Sequence, residues 1–213
     1  MLAARDITFA YKESEPILAD LTWEFPYGSV SAVTGPSGRG KSTLLYVLGL
    51  LLTPQAGSVA LDGENLSDWP DRRRSELRAR RIGFVFQDAA LDTSRTVIDN
   101  VTEGSLYAGI PRREARERAR DLMQRFDVQL RSEHRPGEVS GGQAARVSLC
   151  RALVIYPDVI LADEPTGNLD PASAQVVMEA LEDAARQGAV VVIASHDPSV
   201  VARADITLDL GGA

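Results

Sequence analysis

The chain has 213 residues, of which 44% are hydrophobic and 25% are charged, so it is long enough for one globular domain with a sizeable core. Its net charge of −7 argues against a general nucleic-acid coat, and we expect no nucleic-acid partner. The single cysteine, Cys150, excludes an internal disulfide, and the apolar runs are too short to predict a transmembrane helix.

The N-terminal segment predicts antiparallel strands followed by a strand, a loop and a helix. Apolar and polar residues alternate in "ARDITFAY" and "ILADLTWEF", which is typical of antiparallel strands. A short strand, "SVSAVTG", runs into a glycine-rich loop, and "KSTLLYVLGLLL" predicts a buried helix that starts at that loop.

Two more strands are predicted from "GSVALDG" and "RIGFVFQ". A basic run, "RRRSELRARR", lies between them at 72–81. Its arginines could face phosphate or lipid, but a solvated helix face is the interpretation that we favour.

Between about 88 and 157 the chain has few of the apolar patterns that predict strands. An amphipathic helix is predicted from "RREARERARDLMQRF", which Pro111 precedes, and a more apolar helix from "GGQAARVSLCRALVIY". These two helices indicate a helical insertion.

Continuous apolar strands return in "DVILADE" and "AVVVIASHD", separated by a helix predicted from "PASAQVVMEALEDAARQ". Strands without alternation, joined by helices, indicate a mostly parallel sheet that is covered on both faces. The predicted fold is α/β, with an N-terminal antiparallel β region and an inserted helical subdomain. The predicted units of this single domain, 1–213, are a core, 1–87 and 158–213, and the helical subdomain, about 88–157.

The loop in "TGPSGRGKST", residues 34–43, has the pattern G-x-x-x-x-G-K-S of a phosphate-binding P-loop. Its backbone N–H groups would surround phosphate oxygens at a helix N-terminus. Lys41 would supply a charge for the β and γ phosphates, and Ser42 a hydroxyl for Mg²⁺. The predicted nucleotide-binding residues of the loop are Gly35, Pro36, Ser37, Gly38, Arg39, Gly40, Lys41, Ser42 and Thr43.

Four more polar residues follow apolar strands, and ligands of open α/β sheets bind at the carboxyl ends of strands. Asp163 is predicted to hold Mg²⁺, and the adjacent Glu164, whose side chain should point the other way, is a candidate general base. His196 is predicted to polarise the γ-phosphate or orient the water, although a structural cap is the alternative. Gln87 is a predicted metal contact or a polar strand terminus.

The segment "VSGGQ", residues 139–143, begins the apolar helix of the insertion. Ser140 and Gln143 have the spacing of a capping box, and taken alone the segment predicts ordinary helix capping. With a P-loop in the same chain, however, it provides a second helix start suited to an anion. Two copies of the chain could therefore clamp one nucleotide between them.

Together these motifs resemble the nucleotide-binding subunit of ABC transporters, closest to the MacB/LolD/FtsE-type branch. The motifs that carry the resemblance are, in chain order, Walker A "GPSGRGKS", the Q-loop "FVFQD", the signature "VSGGQ", Walker B "VILADE", the D-loop "GNLD" and the switch histidine "SHD".

The resemblance implies an ATPase in which two cassettes, identical or related, pair head to tail around two ATP and Mg²⁺. It assigns catalytic roles to Lys41, Gln87, Glu164 and His196, with Ser42, Gln87 and Asp163 at the metal. It places Tyr11 on adenine and adds the remaining nucleotide-binding residues, which are Ser140, Gly141, Gly142, Gln143 and Asp170.

The implied partner is an integral-membrane permease, and the implied location is cytoplasmic, peripheral on the inner face of the cell membrane. The resemblance favours export or mechanotransmission driven by ATP. The alternatives are a soluble ABC ATPase acting on ribosomes or DNA, and a small-molecule kinase, which has no use for "SGGQ".

Overall fold

The computed structural model describes residues 1–12 and 15–211, which form two sheets with helices packed around them. The strands are β1 Leu2–Phe9, β2 Leu18–Phe25, β3 Ser29–Thr34, β4 Ala56–Leu61, β5 Glu64–Asn65, β6 Ile82–Val85, β7 Val159–Asp163, β8 Val190–Ala194 and β9 Ile206–Asp209. The helices are α1 Lys41–Leu48, α2 Asp71–Arg81, α3 Val97–Ala108, α4 Arg112–Arg125, α5 Gly141–Leu153, α6 Pro171–Arg186 and α7 Pro198–Val201. Short 3₁₀ turns cover Gln129–Arg131 and Pro136–Glu138.

The larger sheet has the order β6-β7-β8-β3-β9, and its neighbouring strands run parallel. Every residue of β7 and β8 is buried. Alternate residues face different layers: Val159 and Leu161 pack in the same cluster as α1, whereas Ile160 and Ala162 pack with α5 and α6. The prediction of a parallel sheet covered on both faces is confirmed.

The smaller sheet has the order β2-β1-β4-β5 and is antiparallel, which confirms the predicted N-terminal β region. Helix α2 lies between β5 and β6 and buries Leu77, while four of its arginines pair with carboxylates. Arg72 contacts Glu76 at 3.2 Å, and Arg73 contacts Glu64 at 3.1 Å. The structure thus agrees with a solvated helix face at 72–81.

Four helices differ from the prediction, of which α5 ends at Leu153 rather than at Tyr156 and α7 was not predicted. Helix α1 ends at Leu48 rather than continuing to residue 52, because the chain turns at Gly49 and Leu50 has a φ of 58°. Helix α3 was not predicted at all; its N-cap is Thr96, whose side chain accepts a hydrogen bond from the Asp99 amide. The proposed division at residues 87 and 158 stays a prediction.

Within residues 1–12 and 15–211, none of the helices combines the length and apolar character that crossing a bilayer demands.

Gly83 allows α5 to lie directly on β6. A Cβ atom at Gly83 would lie 2.6 Å from the carbonyl oxygen of Ala152, which is backbone and cannot rotate away. We therefore expect Gly83→Ala to lower the free energy of unfolding by about 1–3 kcal/mol, as overpacking does. Urea denaturation measures this loss.

The matched control is Gly137→Ala, since a Cβ at Gly137 would meet no described atom within 4 Å. Equal denaturation midpoints for the two variants would contradict the proposed close packing of α5 on β6.

Candidate active site

The glycine-rich loop joins β3 to α1. Gly35, Gly38 and Gly40 have φ values of 129°, 81° and 91°, which residues with a Cβ rarely adopt. Lys41 begins α1, and its Nζ donates hydrogen bonds to the carbonyl oxygens of Gly35 at 2.8 Å and Pro36 at 3.2 Å. The loop therefore curls around the ammonium group and leaves a positive charge at the helix N-terminus.

Asp163 ends β7 and is 5% exposed. Its Oδ1 accepts a hydrogen bond from Ser42 Oγ at 2.9 Å, and its Oδ2 accepts one from the Tyr46 hydroxyl at 3.3 Å. Burial raises the pKa of Asp163, while the hydrogen bonds from Ser42 and Tyr46 oppose that shift. The hydroxyl of Ser42 and the carboxylate of Asp163 are oxygen donors of the kind that Mg²⁺ prefers.

Glu164 follows β7 and is directed to a different element from Asp163. It has a φ of 43°, so the strand has already ended and the alternation of strand side chains no longer governs it. Glu164 Oε2 accepts a hydrogen bond from Ser195 Oγ at 2.9 Å, and its Oε1 lies 2.6 Å from His196 Nδ1. Ser195 and His196 follow β8, which pairs with β7.

The strand ends and the loop line one cleft of about 400 Å³. Tyr11 stands at its side, 62% exposed, with its hydroxyl oxygen 3.4 Å from Thr43 Oγ1. The predicted site residues that line the cleft are Tyr11, Ser37, Gly38, Gly40, Lys41, Ser42, Thr43, Gln87, Asp163, Glu164 and His196. Arg39 lies beside it, in a neighbouring pocket that Tyr11 shares.

The glycine-rich start of α5 lies beside the cleft, where Gly141 lines a neighbouring pocket with Gln87 and Glu164. The Ser140 amide donates to Gln143 Oε1 at 2.9 Å, and the Gln143 amide donates to Ser140 Oγ at 3.3 Å, so the predicted capping box is confirmed. Asp170 caps α6, and its Oδ2 lies 3.6 Å from where a Cβ of Gly142 would be. Among the described residues, the cleft lining contains no member of 140–143 and not Asp170.

Two residues that bind the carboxylates of the cleft were not predicted: Tyr46, which contacts Asp163, and Ser195, which contacts Glu164. Tyr46 lies four positions after Ser42 on α1 and thus on the same helix face, which was a usable signal. Ser195 precedes His196 at a strand end, where a polar residue was equally recognisable.

The sequence profile of the family described as ABC transporter matches residues 18–167. This chain belongs to the ABC transporter family. The chain is 43% identical to the lipoprotein-releasing system ATP-binding protein LolD of Paramagnetospirillum magneticum, over 91% of this chain and 86% of that protein. It is also 43% identical to the macrolide export ATP-binding/permease protein MacB 1/2 of Paracoccus denitrificans, over 91% of this chain but 29% of that protein.

A solved structure of the ATP-binding cassette MJ0796 has the same fold, with a TM-score of 0.92 and 31% identity. The match covers 99% of this chain and 94% of the MJ0796 chain. That structure is a dimer in a post-hydrolysis state, bound to ADP and Pi. The predicted α/β P-loop fold is confirmed, and this ABC cassette is an ATP-binding ATPase. The dimeric relatives support dimerisation here, and the kinase and soluble alternatives are not favoured.

Proposed function

We propose that this ABC cassette pairs head to tail with a second copy and uses ATP hydrolysis to drive a membrane permease in a LolD- or MacB-type system. One observation carries the pairing: among the described residues, none of Ser140–Gln143 lines the cleft that contains the P-loop, although this segment has the capped, glycine-rich helix start suited to an anion. Each cleft is then completed by the Ser140–Gln143 segment and Asp170 of the second copy, so one dimer has two sites.

In this proposal Lys41 and backbone N–H groups of the Gly38–Thr43 segment hold the phosphates of ATP. Ser42, Asp163 and the Gln87 amide hold Mg²⁺, which when bound neutralises charge on the phosphate oxygens. Ser42 and Asp163 suit that role because both line the cleft and Ser42 Oγ lies 2.9 Å from Asp163 Oδ1. Tyr11 offers an exposed ring for the adenine.

Glu164 takes a proton from the attacking water. Its Oε1 and Oε2 are held by His196 and Ser195, which orient the carboxylate toward the cleft. His196 is 72% exposed at its side chain, so it also stands where a γ-phosphate or water can meet its ring. Positioned donors and a general base together account for acceleration of hydrolysis.

The permease partner and the location on the inner face of the cell membrane are inferred from the relatives. One is named for a lipoprotein-releasing system, and the other for macrolide export and for a permease that accompanies its ATP-binding part. Transport of a solute and mechanical work on the permease both fit an ATPase of this kind.

The test is to identify what binds the ATP-held cassette. Tagged Glu164→Gln protein is purified from detergent-solubilised membranes of its host with ATP and Mg²⁺, with Lys41→Ala as the matched control. We expect a polytopic membrane protein to copurify in larger amount with Glu164→Gln. Recovery of ribosomal or DNA-repair proteins instead would overturn the proposal in favour of a soluble ABC ATPase.

A further inference from the structure

An arginine of α5 binds the backbone next to Gln87. The Arg151 guanidinium donates hydrogen bonds to the carbonyl oxygens of Ala89 and Ala90, each at 2.7 Å. Its Cζ also lies 5.9 Å from the centroid of the Phe86 ring. Arg151 therefore contacts the loop on both sides of Gln87.

The two carbonyls belong to a pair of alanines in an unfavourable conformation. Ala89 and Ala90 have φ values of 56° and 46°, in the left-handed region that a Cβ disfavours. A conformation of this kind persists only where surrounding contacts hold it. The guanidinium, a rigid fork of N–H donors, is suited to hold two neighbouring oxygens, whereas a lysine ammonium is a single point charge.

Arg151 also belongs to the helix that begins at the signature segment. Helix α5 starts at Gly141, and Arg151 Nη2 lies 3.3 Å from Ser148 Oγ on the same helix. On the other side of the loop, Phe86 stacks on Phe84 of β6, with centroids 5.1 Å apart and planes at 8°. One side chain thus links the signature helix to the loop that carries Gln87.

We propose that Arg151 is a positioning residue, which holds Gln87 at the cleft and couples its loop to the signature helix. The proposal rests on the role of Gln87 given under the proposed function. Without the two hydrogen bonds, Ala89 and Ala90 relax toward negative φ and the Gln87 amide leaves its place. Turnover then falls while nucleotide affinity holds, because the Gly35–Thr43 loop is untouched.

Arg151→Lys tests this, with Arg118→Lys as the matched control. Arg118 also lies near α5, where it stacks on Tyr156 and its Nη1 lies 3.5 Å from the Val154 carbonyl oxygen, but it makes no hydrogen bond to the described Gln87 loop. Hydrogen exchange over residues 86–92 and steady-state ATPase rates are measured for both variants. We expect Arg151→Lys to speed exchange there and to lower kcat by about 10- to 100-fold, up to the cost of moving a catalytic group by about 1 Å, with KM nearly unchanged.

A double-mutant cycle with Gln87→Ala separates positioning from a general structural effect. In the Gln87→Ala background, Arg151→Lys is expected to change kcat by less than about twofold. Adding Ala90→Gly to Arg151→Lys is expected to restore part of kcat, because glycine adopts this φ without a Cβ penalty.

Unchanged exchange over 86–92 in Arg151→Lys overturns the proposal, as does the same loss of kcat in the Gln87→Ala background or in Arg118→Lys. Wild-type kcat in Gln87→Ala alone instead overturns the role of Gln87 and the catalytic part of the proposal. The exchange measurement then still decides whether Arg151 anchors the loop, so the two failures are distinguishable.

Discussion

Glu164→Gln is expected to lower kcat for ATP hydrolysis by about 10²–10⁴-fold, the contribution of a general base, while ATP affinity is kept. The amide has the shape of the carboxylate and can still accept the hydrogen bond that Ser195 Oγ donates at 2.9 Å, but it cannot take a proton from water. ATP should therefore hold the variant as a dimer. Phosphate release, nucleotide binding and size-exclusion chromatography with ATP and Mg²⁺ measure the three effects.

The matched control is Glu179→Gln on the exposed face of α6, where the carboxylate contacts Gln175. It makes the same chemical change away from the cleft and should hydrolyse ATP at the wild-type rate. Wild-type turnover in Glu164→Gln would rule out Glu164 as the general base.

Lys41→Ala is expected to abolish measurable ATP hydrolysis and to weaken nucleotide binding by at least about tenfold, since a charge-assisted bond to phosphate contributes roughly 1.5–3 kcal/mol. The alanine also removes the ammonium group that donates hydrogen bonds to the carbonyl oxygens of Gly35 and Pro36. Binding of a fluorescent ATP analogue and phosphate release measure the two losses.

Lys41→Arg tests whether a positive charge at position 41 is enough, because it keeps the charge and changes the shape of the cationic group. The loop surrounds a compact ammonium, which a planar guanidinium does not replace, so this variant should also be inactive. Arg120→Ala, which removes an exposed cation from α4, controls for the loss of positive charge and should leave hydrolysis intact. Unaltered ATPase activity in Lys41→Ala would contradict the phosphate-binding role.

Most strands and three of the longer helices could be predicted because their signals are local. Continuous apolar runs such as Val190–Ala194 have the length of a buried strand, and Pro111 and Gly188 mark helix boundaries in the sequence itself. Helix α3 was missed because its buried face includes Asn100 and Ser105, which weaken the apolar periodicity. The buried Asn100 side chain accepts a hydrogen bond from the Asp92 amide and donates to the carbonyl oxygens of Asp92 and Thr96.

By itself, the sequence determined the phosphate loop, the polar strand ends and the capped start of α5. Each of these depends on neighbouring residues, because glycine conformation, strand length and capping act over a few positions. The tertiary structure alone decided that Tyr46 binds Asp163, that Ser195 binds Glu164 and that Arg151 binds Ala89 and Ala90. These contacts join segments far apart in the chain, and only the packing of the helices on the parallel sheet brings them together.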